Sequence, residues 1–565
     1  MQPSIIRGAP LAEEPGLGAL TLGGWLEEVT TRFGPREAMV LHEHGAVTRW
    51  TYAELWDQAQ AVARALVACG VGHGTRVGVL MTNRPEFLSA VFGVALAGGV
   101  ATTFSTFSTE AELGQVLAMS GVSVLLVERR VVKKDFSAML VALEPALNTA
   151  APGELVSGKY PFLRHVATVG EPLGAIEGWD AFVERGHTVD PALIAARAAS
   201  VHPSDPGVLF FSSGTTAKPK GILSAHRAVA LQLWRWKRFY GTREDTRSWS
   251  SNGFFWSGNF GMAIGGTLSA GGSLILQAYF DPEAALTLME AERATMAIAW
   301  PHQWAQLAAA PNFATVDLSA LHYVGPETAL GQHPTVKTTW QNPMAAYGNT
   351  ETFTISSIFP SGTDPELIGS SHGTPQPGMT FKVVDPLSGA VVPMGEKGEI
   401  AVKGPTLMLG YLGIPLDETL DDEGFFRTGD GGWVDHAPDG QGAGTPRLFW
   451  QGRLNDIIKT GGANVSPLEI DATLRECPGI KLTQTVGVPH DTLGELVVAC
   501  VVPHEGAVLS EDGVRGFAKQ TLASYKVPRR VLFFAEDELV TTGTAKIKTA
   551  DLRALVGKRL EAETA

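Results

Sequence analysis

The chain has 565 residues, more than one hydrophobic core organises, so two or more domains are expected. A composition of 44% hydrophobic and 18% charged residues is that of a globular protein rather than a disordered one, and the formal charge of −14 argues against non-specific attachment to nucleic acid or to an anionic membrane. Three scattered cysteines (Cys69, Cys477 and Cys500) exclude a disulfide framework. The N-terminus has no charged-then-apolar signal pattern, and no run reaches the ~18 apolar residues of a membrane span. A soluble, cytoplasmic protein without an integral membrane segment is expected.

Taken in chain order, Thr51-Tyr52-Ala53-Glu54 is a capping-box pattern, followed at helical spacing by Leu55, Ala59, Val62, Leu66 and Cys69, with Gly70 where the helix should end. RVGVLM (76–81) reads as a buried strand, Asn83 as the N-cap of a helix over 84–98, and VLLV (124–127) as another strand. Strands alternating with helices imply an α/β architecture with parallel pairing. The character changes near residue 452, after the polar, glycine-rich 436–446, which places a domain boundary at about 452–456. Beyond it, Ser466-Pro467-Leu468-Glu469 is a helix start, QTVGV (484–488) and VVACVV (497–502) read as strands, and 510–522 reads as a helix.

The strongest chemical signal is FFSSGTTAKPKGI (210–222), an apolar strand running into a loop of Ser, Gly, Thr and Lys. Glycine lets backbone approach an anion, hydroxyls donate, and Lys218 and Lys220 add charge, which is the chemistry of a phosphate loop. The offset of a Walker A loop is absent. Loops of this composition are usually solvated turns, but this particular string resembles the signature of the acyl-adenylate-forming superfamily, which includes acyl-CoA synthetases, peptide adenylation domains and beetle luciferases. The resemblance runs from about residue 25 to 555, with Ala217 standing where the family carries glycine.

Further motifs follow in the family's order. YGNTET (347–352) resembles its aromatic-Gly-x-Thr-Glu motif. The resemblance implies that Tyr347 stacks on adenine, that Gly348 and Asn349 flank the nucleotide, that Thr350 meets the α-phosphate and that Glu351 holds Mg²⁺. The blocks 373–385, 395–413 and GFFRTGD (424–430) match as well, making Asp430 a ribose ligand, with Arg453 in GRLNDIIKTGG (452–462) the second. Asn455 occupies the position of the family's Asp or Lys hinge, and Lys459, Gly461 and Gly462 resemble the thiol-side surface. TTGTAKIK (541–548) is similar to the C-terminal motif whose lysine, here Lys546, neutralises charge as the adenylate forms. Ser212, Ser213, Gly214, Thr215, Thr216 and Lys220 complete the implied ATP site. SYKVPR (524–529) resembles a segment near the nucleotide of coenzyme A, where Lys526 either meets a phosphate or is simply exposed.

The resemblance implies a large domain (1–453) of mixed sheets flanked by helices and a small mobile α+β domain (454–565). It implies ATP, Mg²⁺ and coenzyme A as cofactors, and a homodimer as a family-level expectation. By analogy the acyl pocket draws on Phe255, Trp256, Asn259, Trp300, His302 and Gly325, although such aromatics are as often plain core. No Asp stands among them to pair with an α-amino group, which disfavours an amino acid and favours a hydrophobic acid: fatty, aryl or polycyclic. The rival readings are an enzyme that stops at acyl-AMP or passes the acyl group to a carrier protein or partner enzyme, a luciferase-like oxygenase, and a silent binding protein on the same fold.

Overall fold

A computed structural model describes residues 2–212, 219–343, 345–436, 445–454, 458–535, 538 and 549–564. An eight-stranded sheet forms the middle of the large domain. Six of its strands are parallel, ordered Ile176–Gly178, His165–Val169, Val124–Glu128, Arg76–Leu80, Val100–Thr103 and Pro206–Ser212; Lys220–Ala225 and Gly410–Tyr411 then add antiparallel. A second, mostly parallel sheet of five strands carries Arg247–Ser250 and Met296–Ile298, which lead into the proposed acyl-pocket segments. A third, wholly antiparallel sheet ends in Phe426–His436 and Pro446–Arg453. The small domain is built on a fourth, with Ile458–Thr460, Gly494–Pro503 and Ile480–His490 at its centre.

The local sequence signals hold where their partners are local. Thr51 caps the helix Tyr52–Ala68 by accepting from Glu54 N, while Glu54 accepts from Thr51 N at 2.7 Å, and Leu55, Ala59, Val62 and Leu66 are buried on one face. Gly70 follows with φ +81°, which glycine adopts without strain. Apart from Glu86, every residue of the largely apolar helix Pro85–Leu96 is buried, with Phe92 stacked on Trp25 at 5.3 Å.

Two expected caps are not made. Asn83 does not cap its helix, whose N-cap is Arg84; its side chain instead donates to Asn252 O (2.7 Å) and accepts from Phe254 N (2.8 Å), tying the helix start to the 252–256 segment. Ser466 sits at the N-cap of Pro467–Arg475 without a side-chain capping bond, and the reciprocal half of the box is missing too, because the Glu469 carboxylate accepts from Lys526 at 2.8 Å. Lys526 itself is 6% exposed and held between two carboxylates, which corrects both readings of it as an exposed lysine or a phosphate contact.

Within the small domain, Asp471 is 3% exposed and accepts from Thr485 Oγ1 at 2.7 Å; burial raises its pKa to about 7. A carboxyl whose pKa is higher in the folded state contributes stability that is complete below its unfolded pKa near 4 and lost as pH rises through about 7. Asp471→Asn keeps the acceptor and removes the titration. Its thermal midpoint relative to wild type should therefore rise from pH 5 to pH 8, by an equivalent of up to roughly 3 kcal/mol, and an unchanging difference would show that Asp471 does not titrate in this range.

Candidate active site

The phosphate-loop motif joins two antiparallel strands, and their register sets Ser212 opposite Lys220. Ser213, Gly214, Thr215 and Thr216 between them lie outside the described residues, as do Asn455 and Lys546, and of Arg453 only the backbone is described. The next strand places Tyr411 beside this pair, with Lys220 Nζ 4.7 Å from its ring centroid. Tyr411 Oη in turn donates to Glu351 Oε1 at 2.7 Å, and Met408 N donates to Glu351 O. Three separate motifs thus meet around Tyr411, which joins Lys220 to the Glu351 carboxylate.

Glu351 is presented by a tight turn. Tyr347 bridges Ser357 across it, and Asn349 accepts from Thr352 N at 3.0 Å to cap the short 3₁₀ turn Thr350–Thr352. Phe353 (φ +45°) and Thr354 (φ +81°) then take left-handed backbone, which side chains resist. A Cβ on Gly348 would lie 1.7 Å from Thr354 O, so only glycine permits the closure. Strain of this kind is held by surrounding bonds and fixes where Glu351 and Thr350 point.

Asp430 is 3% exposed and accepts from Tyr347 Oη (2.9 Å) and from Trp450 Nε1 (3.3 Å). Its register partner on the last strand of the sheet is Arg453, so the two ribose candidates are neighbours on adjacent strands. Tyr347 is itself 5% exposed and packs edge-on against Phe381, so most of its ring is already covered and its hydroxyl is spent on Asp430. Lys459 Nζ lies 3.5 Å from the Trp450 ring centroid.

The Gly461-Gly462 turn (φ +55° and +79°) is seated on the proposed acyl-pocket wall. A Cβ on Gly461 would come within 3.2 Å of the His302 ring and one on Gly462 within 2.5 Å of Trp300. His302 Nδ1 is buried without a hydrogen-bond partner among the described residues, and burial, helped by the Arg529 charge, lowers its pKa, leaving the imidazole neutral at pH 7. Beside it lies a cavity of about 1000 Å³ between the two domains, whose wall includes Phe255, Trp256 and His302. Asn259 is buried outside that wall and accepts from Ser250 Oγ at 2.9 Å, while Gly325 packs against the Glu327 side chain.

Residues 26–412 match the AMP-binding enzyme family, and residues 469–546 match the AMP-binding enzyme C-terminal domain. The chain belongs to the AMP-binding enzyme family. The Indoleacetate–CoA ligase of Aromatoleum aromaticum is 31% identical over 513 residues, covering 90% of this chain and 94% of that protein. A Feruloyl-CoA synthase of an Amycolatopsis species is 31% identical over 541 residues, covering 95% and 99%. Among solved structures, the amide bond synthetase McbA from Marinactinospora thermotolerans superposes with a TM-score of 0.71 at 25% identity, covering 94% and 99%. Set against the AMP-binding matches, Asp430, Arg453, Lys459 and the Gly461-Gly462 turn fall between the two matched ranges.

Tyr411 and Trp450 are the site residues that sequence reasoning missed. Tyr411 stood inside a recognised block, but nothing local marks an aromatic as the partner of a carboxylate sixty positions away. Tyr347→Phe removes a donor from the buried Asp430 while keeping the ring. The KM for ATP should rise by about ten-fold, the usual size for a lost hydrogen bond to a charged group, and the melting temperature should fall because a buried carboxylate loses a donor. An unchanged KM would separate Asp430 from nucleotide binding.

Proposed function

We propose that this protein is an acid–thiol ligase that converts a hydrophobic, aryl-type carboxylic acid to an acyl-AMP and then to its coenzyme A thioester. The observation that carries the reading is the Gly461-Gly462 turn seated on Trp300 and His302 beside the interdomain cavity. Lys133, Lys134, Arg515, Lys519 and Arg529 line that cavity against one carboxylate, Asp281, in a chain of net charge −14. Such a local excess of positive charge suits the phosphates of coenzyme A. The two relatives named above are designated for indoleacetate and ferulate, both aromatic acids, which fits the Phe255 and Trp256 wall.

A carboxylate and a triphosphate repel one another, so the first step depends on positioning and charge neutralisation. The carboxylate oxygen attacks the α-phosphorus, a P–O bond forms and pyrophosphate leaves. Lys220, Thr350 and the 212–216 loop supply donors to the phosphates, Gly348 and Asn349 shape the turn beside them, and Asp430 with Arg453 holds the ribose. Mg²⁺ fits at Glu351, since this ion commonly takes one protein carboxylate with phosphate oxygens and Tyr411 orients that carboxylate through one oxygen. Bound there, it would neutralise phosphate charge.

In the second step the thiol gives its proton to solvent water, sulfur attacks the acyl carbon, and AMP departs with the C–O electron pair. We place the domain boundary after Arg453, with Asn455 as the hinge. Lys546 acts in the first step, and Lys459 with the Gly461-Gly462 face acts in the second. The alternative, release of acyl-AMP or transfer to a carrier protein, is favoured by no observation as specific as the cationic cavity.

Lys546→Ala should lower pyrophosphate release by at least about a hundred-fold while leaving transfer from supplied acyl-AMP to coenzyme A near wild type. Unchanged pyrophosphate release would remove Lys546 from the mechanism.

A further inference from the structure

The two domains also meet across a buried ion cluster that plays no part in the chemistry above. Lys526 Nζ lies 3.0 Å from Glu112 Oε1 and 2.8 Å from Glu469 Oε1, with all three side chains under one-tenth exposed. Glu112 belongs to the large domain, in the first turn of the helix Glu110–Ser120. Its two oxygens have separate duties. Oε2 completes a capping box, accepting from Thr109 N at 3.0 Å, while Oε1 reaches into the small domain, accepting from Lys526 and from Ala523 N at 2.9 Å. Thr109 Oγ1 donates alongside to Thr521 O at 3.0 Å, and Tyr525 fits edge-on between Phe107 and Trp256.

The partition of charges between the domains makes this contact reversible. Lys526 and Glu469 both belong to the small domain and stay paired wherever that domain sits. Glu112 alone crosses, so on separation it exchanges its partners for water and no buried charge is left uncompensated. A buried ion cluster adds little stability over apolar packing, but it strongly penalises misregister, because a displaced carboxylate would be buried without a donor. The segment it grips, 521–526, belongs to the same small domain as the Gly461-Gly462 turn.

We propose that Glu112 is a positioning residue for the thioester-forming step, registering the small domain through Lys526 and Ala523 so that Gly461 and Gly462 seat against His302 and Trp300. This rests on the reading of the docked arrangement as the thiol-transfer arrangement. Glu112 touches no reacting atom and is not needed for adenylation.

The test measures both half-reactions on the full chain: pyrophosphate release without coenzyme A, and consumption of supplied acyl-AMP by coenzyme A. Glu112→Gln, which preserves size and can still cap the helix, should slow transfer by at least about ten-fold and change adenylation by less than about two-fold. Lys526→Gln serves as the second variant, and combining the two should cost no more than the larger single loss, because both act through one contact. Equal slowing of both half-reactions by Glu112→Gln, no slowing of transfer, or additive losses in the double variant would overturn the proposal. A wild-type protein that makes acyl-AMP but transfers nothing to coenzyme A would overturn the underlying reading, and that failure is recognisable because it appears without any substitution.

Discussion

The nucleotide end of the molecule depends on keeping one buried carboxylate supplied with donors. Asp430 is almost fully removed from water, and an unpaired charge in that position would cost several kcal/mol. Tyr347 and Trp450 supply donors from two different parts of the chain, the 347–352 turn and the last strand of the third sheet. That requirement fits the burial of the tyrosine. It also couples the site to the domain boundary, since Trp450 bears Asp430 on its indole nitrogen and Lys459 over its ring. Moving the small domain away would take Lys459 from that ring, so the position of that domain is felt one side chain from Asp430.

A second constraint is steric. Two glycines are placed where a side chain would collide, Gly348 against Thr354 and Gly462 against Trp300, and a third, Gly461, where a Cβ would press tightly on His302. The first lets a strained turn close and aim Glu351. The other two let backbone of the small domain approach Trp300 and His302 closely. Glycine's role here is absence of a Cβ as much as freedom of φ.

Much of this was legible in the sequence because the signals were local. The Thr51–Glu54 capping box, the buried strands at 76–80 and 124–128, and the order of the glycine-rich motifs all involve residues within a few positions of each other. What failed was non-local. Asn83 looked like a cap, but its partners lie 169 and 171 residues away, and a better-placed pair of backbone groups claimed its side chain. Glu469 looked like the second half of a capping box, but Lys526, 57 residues on, offered it a full charge. The candidate site divides in the same way. Tyr347, Glu351 and Asp430 stood in recognisable motifs, whereas Tyr411 and Trp450 became visible only once the strands were paired.

The central question is whether acyl transfer to coenzyme A is this chain's own reaction. The most direct measurement is to incubate the purified full-length protein with ATP, Mg²⁺ and a panel of aryl, fatty and small hydrophilic acids, with and without coenzyme A, and to resolve acyl-AMP from acyl-CoA by mass spectrometry. The account predicts an acyl-CoA product, formed from aryl acids in preference to small hydrophilic ones and dependent on both ATP and coenzyme A. Acyl-AMP that accumulates undiminished in the presence of coenzyme A, or activity confined to small hydrophilic acids, would contradict it.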